Sequence, residues 1–220
     1  MSEVGAFPVS LDDGWVDADL AAEFPELKLR TVGVDCVPGK SSPGLREQLR
    51  YVSDRMNGAR AIKLRRDPIP SAYRVFYRLV GLDPDQTLTP IEQAALERLF
   101  HGDYHSTGLV DDALLLALVE TGVPVYAVDE ATLSGPLGLR PARAGERLGE
   151  GEYDPDLIPG RLVVADSERP VGVLFGSVAP GNRVTRASRR VRLAAVGVEG
   201  VPRIHVEEAL FACAEVLQAS

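Results

Sequence analysis

The stretch LVDDALLLALVETGVPVYAVD (109–129) decides the architecture. After Asp111 and Asp112 it runs apolar through Val119, as a helix buried on most of its sides does. Thr121-Gly122 closes that helix, glycine being the residue that best takes the left-handed turn past a helix end. VPVYAV (123–128) then reads as a short strand, rich in branched and aromatic side chains. The chain therefore changes here from helices to strands.

Upstream, KLRTVGVDCV (28–37) alternates roughly and predicts a first strand, and PGKSSPG (38–44) breaks it. From Pro43 the spacing of Leu45, Leu49, Val52 and Met56 predicts a helix. A second is expected from Ser71 to Val80, ending at Gly81, with Tyr73, Phe76, Tyr77 and Val80 on one stripe. Those aromatic residues read as core packing. Thr89-Pro90 opens a third, with a Thr N-cap, Pro at the first position and Glu92 at the third. Its apolar positions are Ala94, Ala95, Leu96, Leu99 and Phe100, so three successive helices are expected over about 43–101.

Downstream, LGLRP (137–141), RLVVAD (161–166), PVGVLFG (170–176) and RRVRLAAVGV (189–198) read as further strands. Val206–Leu217 reads as a closing helix with Ala209, Leu210, Cys213 and Leu217 inward. Helices first and a mostly antiparallel sheet system after them make an α+β pattern.

The 220 residues are 45% hydrophobic and 25% charged, an ordinary globular composition that excludes wholesale disorder. No window approaches the roughly 18 apolar residues of a membrane span. The start MSEVGAFPVSLDDGW lacks a basic segment followed by an apolar one, so no signal peptide is expected. Cys36 and Cys213 lie far apart outside any metal-binding spacing and read as buried thiols.

The net charge is −8, but its distribution is uneven. Residues 40–78 hold 10 Lys and Arg against 3 Asp and Glu, while 1–39 hold 2 against 8 and 79–170 hold 6 against 17. A second basic cluster comprises Arg183, Arg186, Arg189, Arg190 and Arg192. Either a localised positive field meets phosphate, or these are solvated cations paired with acids elsewhere. GNRVTRASRR (181–190) is likewise either a phosphate clamp or a hairpin loop.

Catalytic signatures are scarce. GxGxxG, Walker, HExxH and GxSxG motifs are missing. His101, His105 and His205 are too scattered for a metal site. The carboxylates Glu150, Glu152, Asp154 and Asp156 lack calcium-loop spacing and read as a solvated acidic loop. No metal and no cofactor is expected.

AYRVFYRLVGLDP (72–84), LTPIEQAALERLFHG (88–102), LVDDALLLALVETGVPVYAVDE (109–130) and GPLGLRPARAGERL (135–148) together resemble the B3/B4 domain family. That family takes its name from two modules of the phenylalanyl-tRNA synthetase β subunit, where they hydrolyse tyrosine wrongly attached to the phenylalanine tRNA. The resemblance implies an α+β fold, a B3/B4-like β-sandwich with helices and mostly antiparallel sheet. It implies one B3/B4-like domain over 1–220, with a strand and basic helix in 1–69 and the family-matching core in 70–220. Free-standing proteins of this type occur, and without an aminoacylation core this chain is not expected to charge tRNA by itself.

Function follows the same resemblance. It implies a cytoplasmic protein binding tRNA at its aminoacyl end, with no membrane or DNA partner and the oligomeric state open. Hydrolysis of mischarged aminoacyl-tRNA in trans stands beside the alternative of a non-catalytic module binding a small molecule or a protein. The implied substrate pocket comprises Thr107, Asp111, Tyr126, Gly176 and Ala194. Tyr126 stands where the family has a histidine, Ala194 where it has the glutamate that reads the tyrosyl hydroxyl. Thr107 and Leu114 stand at two asparagine positions, and Gly176 matches a pocket glycine. Arg46, Arg50, Lys63, Arg65, Arg66, Arg183, Arg186, Arg189 and Arg190 are the implied RNA contacts. No catalytic residue is singled out, since an activated ester needs little beyond positioned water and backbone dipoles.

Overall fold

The computed structural model describes residues 10–149, 151 and 154–219. Two short strands, β1 (Asp12–Asp13) and β2 (Trp15–Val16), precede α1 (Ala18–Glu23) and β3 (Lys28–Asp35). Helices α2 (Pro43–Arg55), α3 (Gly58–Leu64), α4 (Pro68–Leu79), α5 (Pro90–His101) and α6 (Leu109–Thr121) follow. Then come β4 (Val125–Asp129), β5 (Gly138–Pro141), β6 (Leu162–Ala165), β7 (Pro170–Val173), β8 (Arg190–Gly197) and α7 (Arg203–Gln218). The fold is α+β, as the helix-then-strand order predicts.

Two four-stranded sheets form, in the orders β1-β3-β8-β4 and β2-β5-β6-β7. Every pairing is antiparallel except β2 with β5. β8 lies between β3 and β4, and α7 packs across β3 and β8. Val191 and Leu193–Val196 are all buried, the continuous run of a strand covered on both faces. Val32 and Leu193 of the first sheet share one core with Leu139 and Val171 of the second, and with Leu116 and Leu210 of α6 and α7. Gly14 carries the chain from one sheet to the other, and a Cβ there would sit 2.7 Å from the Leu137 carbonyl oxygen.

Several boundaries differ from the sequence expectation. Four helices fill 43–101. Met56 ends α2, and Asn57 caps α3, its side chain accepting the Arg60 N–H at 3.0 Å. α4 starts at Pro68 rather than Ser71, because Asp67-Pro68 provides an N-terminus. On α5 the inward stripe is Ile91, Ala94 and Ala95, whereas Leu96, Leu99 and Phe100 are exposed. The start of α5 follows its capping residues closely: the Glu92 carboxylate accepts the Thr89 N–H at 3.1 Å and the Thr89 hydroxyl at 2.8 Å. Cys36 and Cys213 are buried free thiols, and burial pushes Cys213 up to about 12. Residues 1–9, which include most of the start examined for a signal peptide, and Glu150 and Glu152 of the acidic loop lie outside the described residues.

Candidate functional site

A cavity of about 1030 Å³ opens where the two halves of the chain meet. One wall is α6. Asp111, Leu114, Leu115 and Leu118 recur at the i, i+3, i+4, i+7 spacing that puts them on a single helix face. Pro90, Gln93, Ala94 and Glu97 of α5 form a second wall, and Val125, Tyr126 and Ala127 of β4 a third. The Phe175–Val178 turn, the 183–186 loop and Pro38–Lys40 complete it.

A buried carboxylate sets the α6 end of this cavity. Asp112, 1% exposed, accepts hydrogen bonds from the Ser41 and Ser106 hydroxyls and, at 2.9 Å, from the Thr107 N–H. The Leu109 N–H adds a bond to the Gly39 carbonyl at 2.9 Å. Together these tie the strap around Lys40 and the segment carrying Thr107 to the start of α6. A carboxylate with three donors meets the hydrogen-bonding demand that burial imposes.

The opposite side is set by Phe175, the only described non-glycine residue with positive φ, at 58°. Its ring stacks on Tyr77 with centroids 5.1 Å apart and meets Tyr73 edge-on at 5.6 Å. Its N–H donates to the Tyr126 hydroxyl. Burial pushes the Tyr126 phenol well above its ordinary value, so it is a neutral group here. Gly176 follows, where an added Cβ would press on the Val173 Cβ at 3.0 Å.

Polarity is partitioned. Lys40, Gln93, Glu97, Thr107, Asp111, Arg183, Thr185 and Arg186 line the cavity and are all exposed, so they form its rim. Leu109, Leu114, Leu115, Leu118, Val125 and Ala127 are buried or half-buried and form its interior. None of the three histidines lines it.

Of the pocket residues expected from sequence, Thr107, Asp111, Tyr126 and Gly176 lie on this one cavity. Ala194 does not. It is 0% exposed, flanked in register by Thr31 of β3 and Tyr126 of β4 in the middle of the sheet. Leu114 and Phe175, at two positions the resemblance places by the pocket, do line it, whereas Lys40, Gln93, Leu109, Leu115 and Leu118 are not anticipated as liners. The α6 face repeats at helical spacing, but an apolar helix alone does not reveal that one face borders a cavity.

The expected cations divide into three groups. Arg183 and Arg186 stand at the cavity rim and have no carboxylate partner among the described residues. Arg46, Arg50, Lys63, Arg65 and Arg66 are exposed on or after α2 and α3, and none lines the cavity. Of these, Arg65 bonds to Glu92 at 2.8 Å, and Arg50 lies 3.6 Å from Glu47. Arg190 is held by Asp35 at 2.8 Å and Glu130 at 3.1 Å, and Arg192 by Glu130 at 2.6 Å and Asp12 at 3.0 Å. Arg189 donates to the carbonyls of Arg186, Ala187 and Ser188. Within 181–190, Arg189 and Arg190 are thus engaged inside the protein, and Arg183 and Arg186 are the cations that face the rim. Ser188 donates to Asp129 at 2.6 Å and accepts the Thr185 N–H at 2.9 Å, so its hydroxyl organises the loop.

No family model matches the chain. Over 123 residues it is 36% identical to the phenylalanine–tRNA ligase beta subunit of Xanthomonas campestris pv. campestris (strain 8004), covering 51% of this chain and 14% of that protein. The corresponding subunit of Xanthomonas oryzae pv. oryzae (strain MAFF 311018) is 35% identical over the same length and coverage. That of Xylella fastidiosa (strain 9a5c) is 35% identical over 88 residues, 40% of this chain and 10% of its own. The chain thus matches a small part of much longer relatives. Over about half its length, it resembles the phenylalanine–tRNA ligase beta subunit.

Proposed function

We propose that this chain forms a single B3/B4-like domain, acts on tRNA, and takes the aminoacyl end of that tRNA into the cavity between α5, α6 and β4. The observation that carries the reading is the partition of the cavity: an apolar interior large enough for an aminoacylated adenosine, with Arg183, Arg186 and Lys40 at its rim. Uncompensated cations beside an opening suit phosphates that must stay in water while the acyl group enters. Similarity to the phenylalanine–tRNA ligase beta subunit supports a tRNA-related role. A cytoplasmic setting belongs to the same reading.

Deacylation in trans is the finer part of the proposal. Its mechanism asks the protein to bind the ester, exclude competing solvent and leave one water beside the carbonyl. The Thr107, Leu109, Phe175 and Gly176 N–H groups are already bonded within the protein, so the dipoles this step would use are the remaining backbone groups of 107–109 and of the Phe175–Val178 turn. The tRNA's own terminal hydroxyl supplies the remaining polar group. A second reading, a binding module without catalysis, is favoured by the interior itself: among its described liners the one buried titratable side chain is the neutral Tyr126.

A panel of aminoacyl-tRNAs incubated with the protein tests both. Release of one amino acid, suppressed by Arg183→Glu with Arg186→Glu, supports deacylation. Binding that weakens in the charge-reversed protein, without release, supports the second reading. Absence of both tRNA binding and release refutes the tRNA assignment.

A further inference from the structure

We infer that the cavity selects an apolar, unhydroxylated aminoacyl side chain, phenylalanyl or branched aliphatic, and discriminates against tyrosyl; this rests on the reading of the cavity as an aminoacyl site. The inference comes from where the polar groups are. Leu109, Leu114, Leu115 and Leu118 of α6 and Val125 and Ala127 of β4 line the same space and are buried or half-buried. No buried carboxylate, amide or aliphatic hydroxyl side chain is among its described liners.

Tyr126 supplies the one interior hydroxyl, and it already accepts the Phe175 N–H. That contact fixes its direction toward the 175 turn. The carboxylates on the cavity, Glu97 and Asp111, are exposed at the rim, and Glu97 is engaged by the Gln93 amide at 2.8 Å. A substrate side chain pointing inward therefore meets hydrocarbon. Its phenolic proton would lose water, and the one interior side-chain oxygen, the Tyr126 hydroxyl, is already shared with the Phe175 N–H, which disfavours binding by about tenfold or more. An unhydroxylated ring or branched chain of similar size loses nothing polar and buries its full surface. Substrate charge is excluded by the same reasoning, more strongly.

At the rim the requirement reverses. The α-ammonium of an aminoacyl group lies close to Asp111 and Glu97 if its side chain enters between α6 and β4. The sugar-phosphate then faces Arg183, Arg186 and Lys40. Cations and carboxylates thus occupy the same opening, one set for each end of the ligand's polar portion.

The test uses 3′-aminoacylamino-3′-deoxyadenosines, whose amide link resists hydrolysis, titrated calorimetrically into the full chain. Leucyl, phenylalanyl, tyrosyl and aspartyl derivatives are compared. The phenylalanyl probe is expected to bind at least about tenfold tighter than the tyrosyl one, with the aspartyl probe weakest. Equal or tighter tyrosyl binding overturns this inference and leaves the aminoacyl site standing. Failure of all four probes to bind overturns the site itself, and the inference with it. Leu114→Gln adds an acceptor to the half-buried α6 wall and is expected to narrow the phenylalanyl-to-tyrosyl ratio. An unchanged ratio in a folded variant would remove that wall from the discrimination and overturn the inference.

Discussion

Replacing Phe175 sets two opposing effects against each other. The residue sits at φ 58°, where a side chain costs about 1–2 kcal/mol that glycine avoids. Its half-buried ring contributes about 1.5 kcal/mol of apolar burial. The stacked contact with Tyr77 and the edge contact with Tyr73 add about 0.5–1.5 kcal/mol each. The ring therefore outweighs the strain by roughly 2 kcal/mol. Phe175→Gly should destabilise by about that difference. Phe175→Ala should cost about 1 kcal/mol more, because it forfeits the ring and keeps the left-handed backbone. For a chain of this size those losses correspond to drops of roughly 4–8 °C and 6–12 °C in thermal midpoint. Differential scanning calorimetry of the three proteins gives the order wild type, glycine, alanine. A glycine variant as stable as wild type would refute the claim that aromatic packing holds the cavity turn. An alanine variant above glycine would refute the strain.

Three further outcomes follow from buried polar groups. Arg74→Met removes a 2.6 Å partner from Glu92, whose side chain is 4% exposed, and should destabilise toward the lower end of about 3–5 kcal/mol, because Arg65 still reaches that carboxylate; urea unfolding with a loss below about 1 kcal/mol would contradict it. Asp112→Asn should accelerate hydrogen exchange at Thr107 and Leu109 before global stability falls, since its carboxylate pins both segments; unchanged exchange would deny it that role. The hydrogen bonds from Arg140 hold the Glu146 carboxyl below its ordinary value. Its stabilisation is therefore present above the unfolded glutamate pKa of about 4.3 and lost as pH falls through the lower folded value. Glu146→Gln should be less stable than wild type near neutrality and show a shallower acid limb; parallel pH–stability curves would contradict this.

How far the sequence reached depends on the range of the signal. The stop at Thr121-Gly122 and the Thr89–Glu92 cap are local, and the helices they bound stand where periodicity puts them. Asn57 interrupts an apparently continuous pattern, and only its bond to Arg60 distinguishes a cap from a passenger. Two-residue strands such as β1 and β2 are too short to show alternation. Leu96, Leu99 and Phe100 form a helical stripe as convincing as the buried one, and burial is decided by neighbours that sequence does not supply. The basic cluster was harder still. Arg190 and Arg192 look like Arg183 and Arg186 along the chain, yet their partners Asp35 and Asp12 are 155 and 180 residues away.

The position of β8 bears on how the chain can fold during synthesis. It is the central strand of its sheet, pairing with both β3 and β4, yet it is the last strand to be made. Until residue 197 has left the ribosome, β3 lacks its long partner, and β4 has no strand beside it. The five helices over 43–121 emerge in the interval, before the strand that completes the first sheet. Closure of the sheet is then a single late event spanning almost the whole chain, which favours slow folding and leaves strand edges open while it waits. The cavity, whose wall includes β4, is completed by that same event, so a nascent chain stalled before β8 has its walls' residues but no finished site.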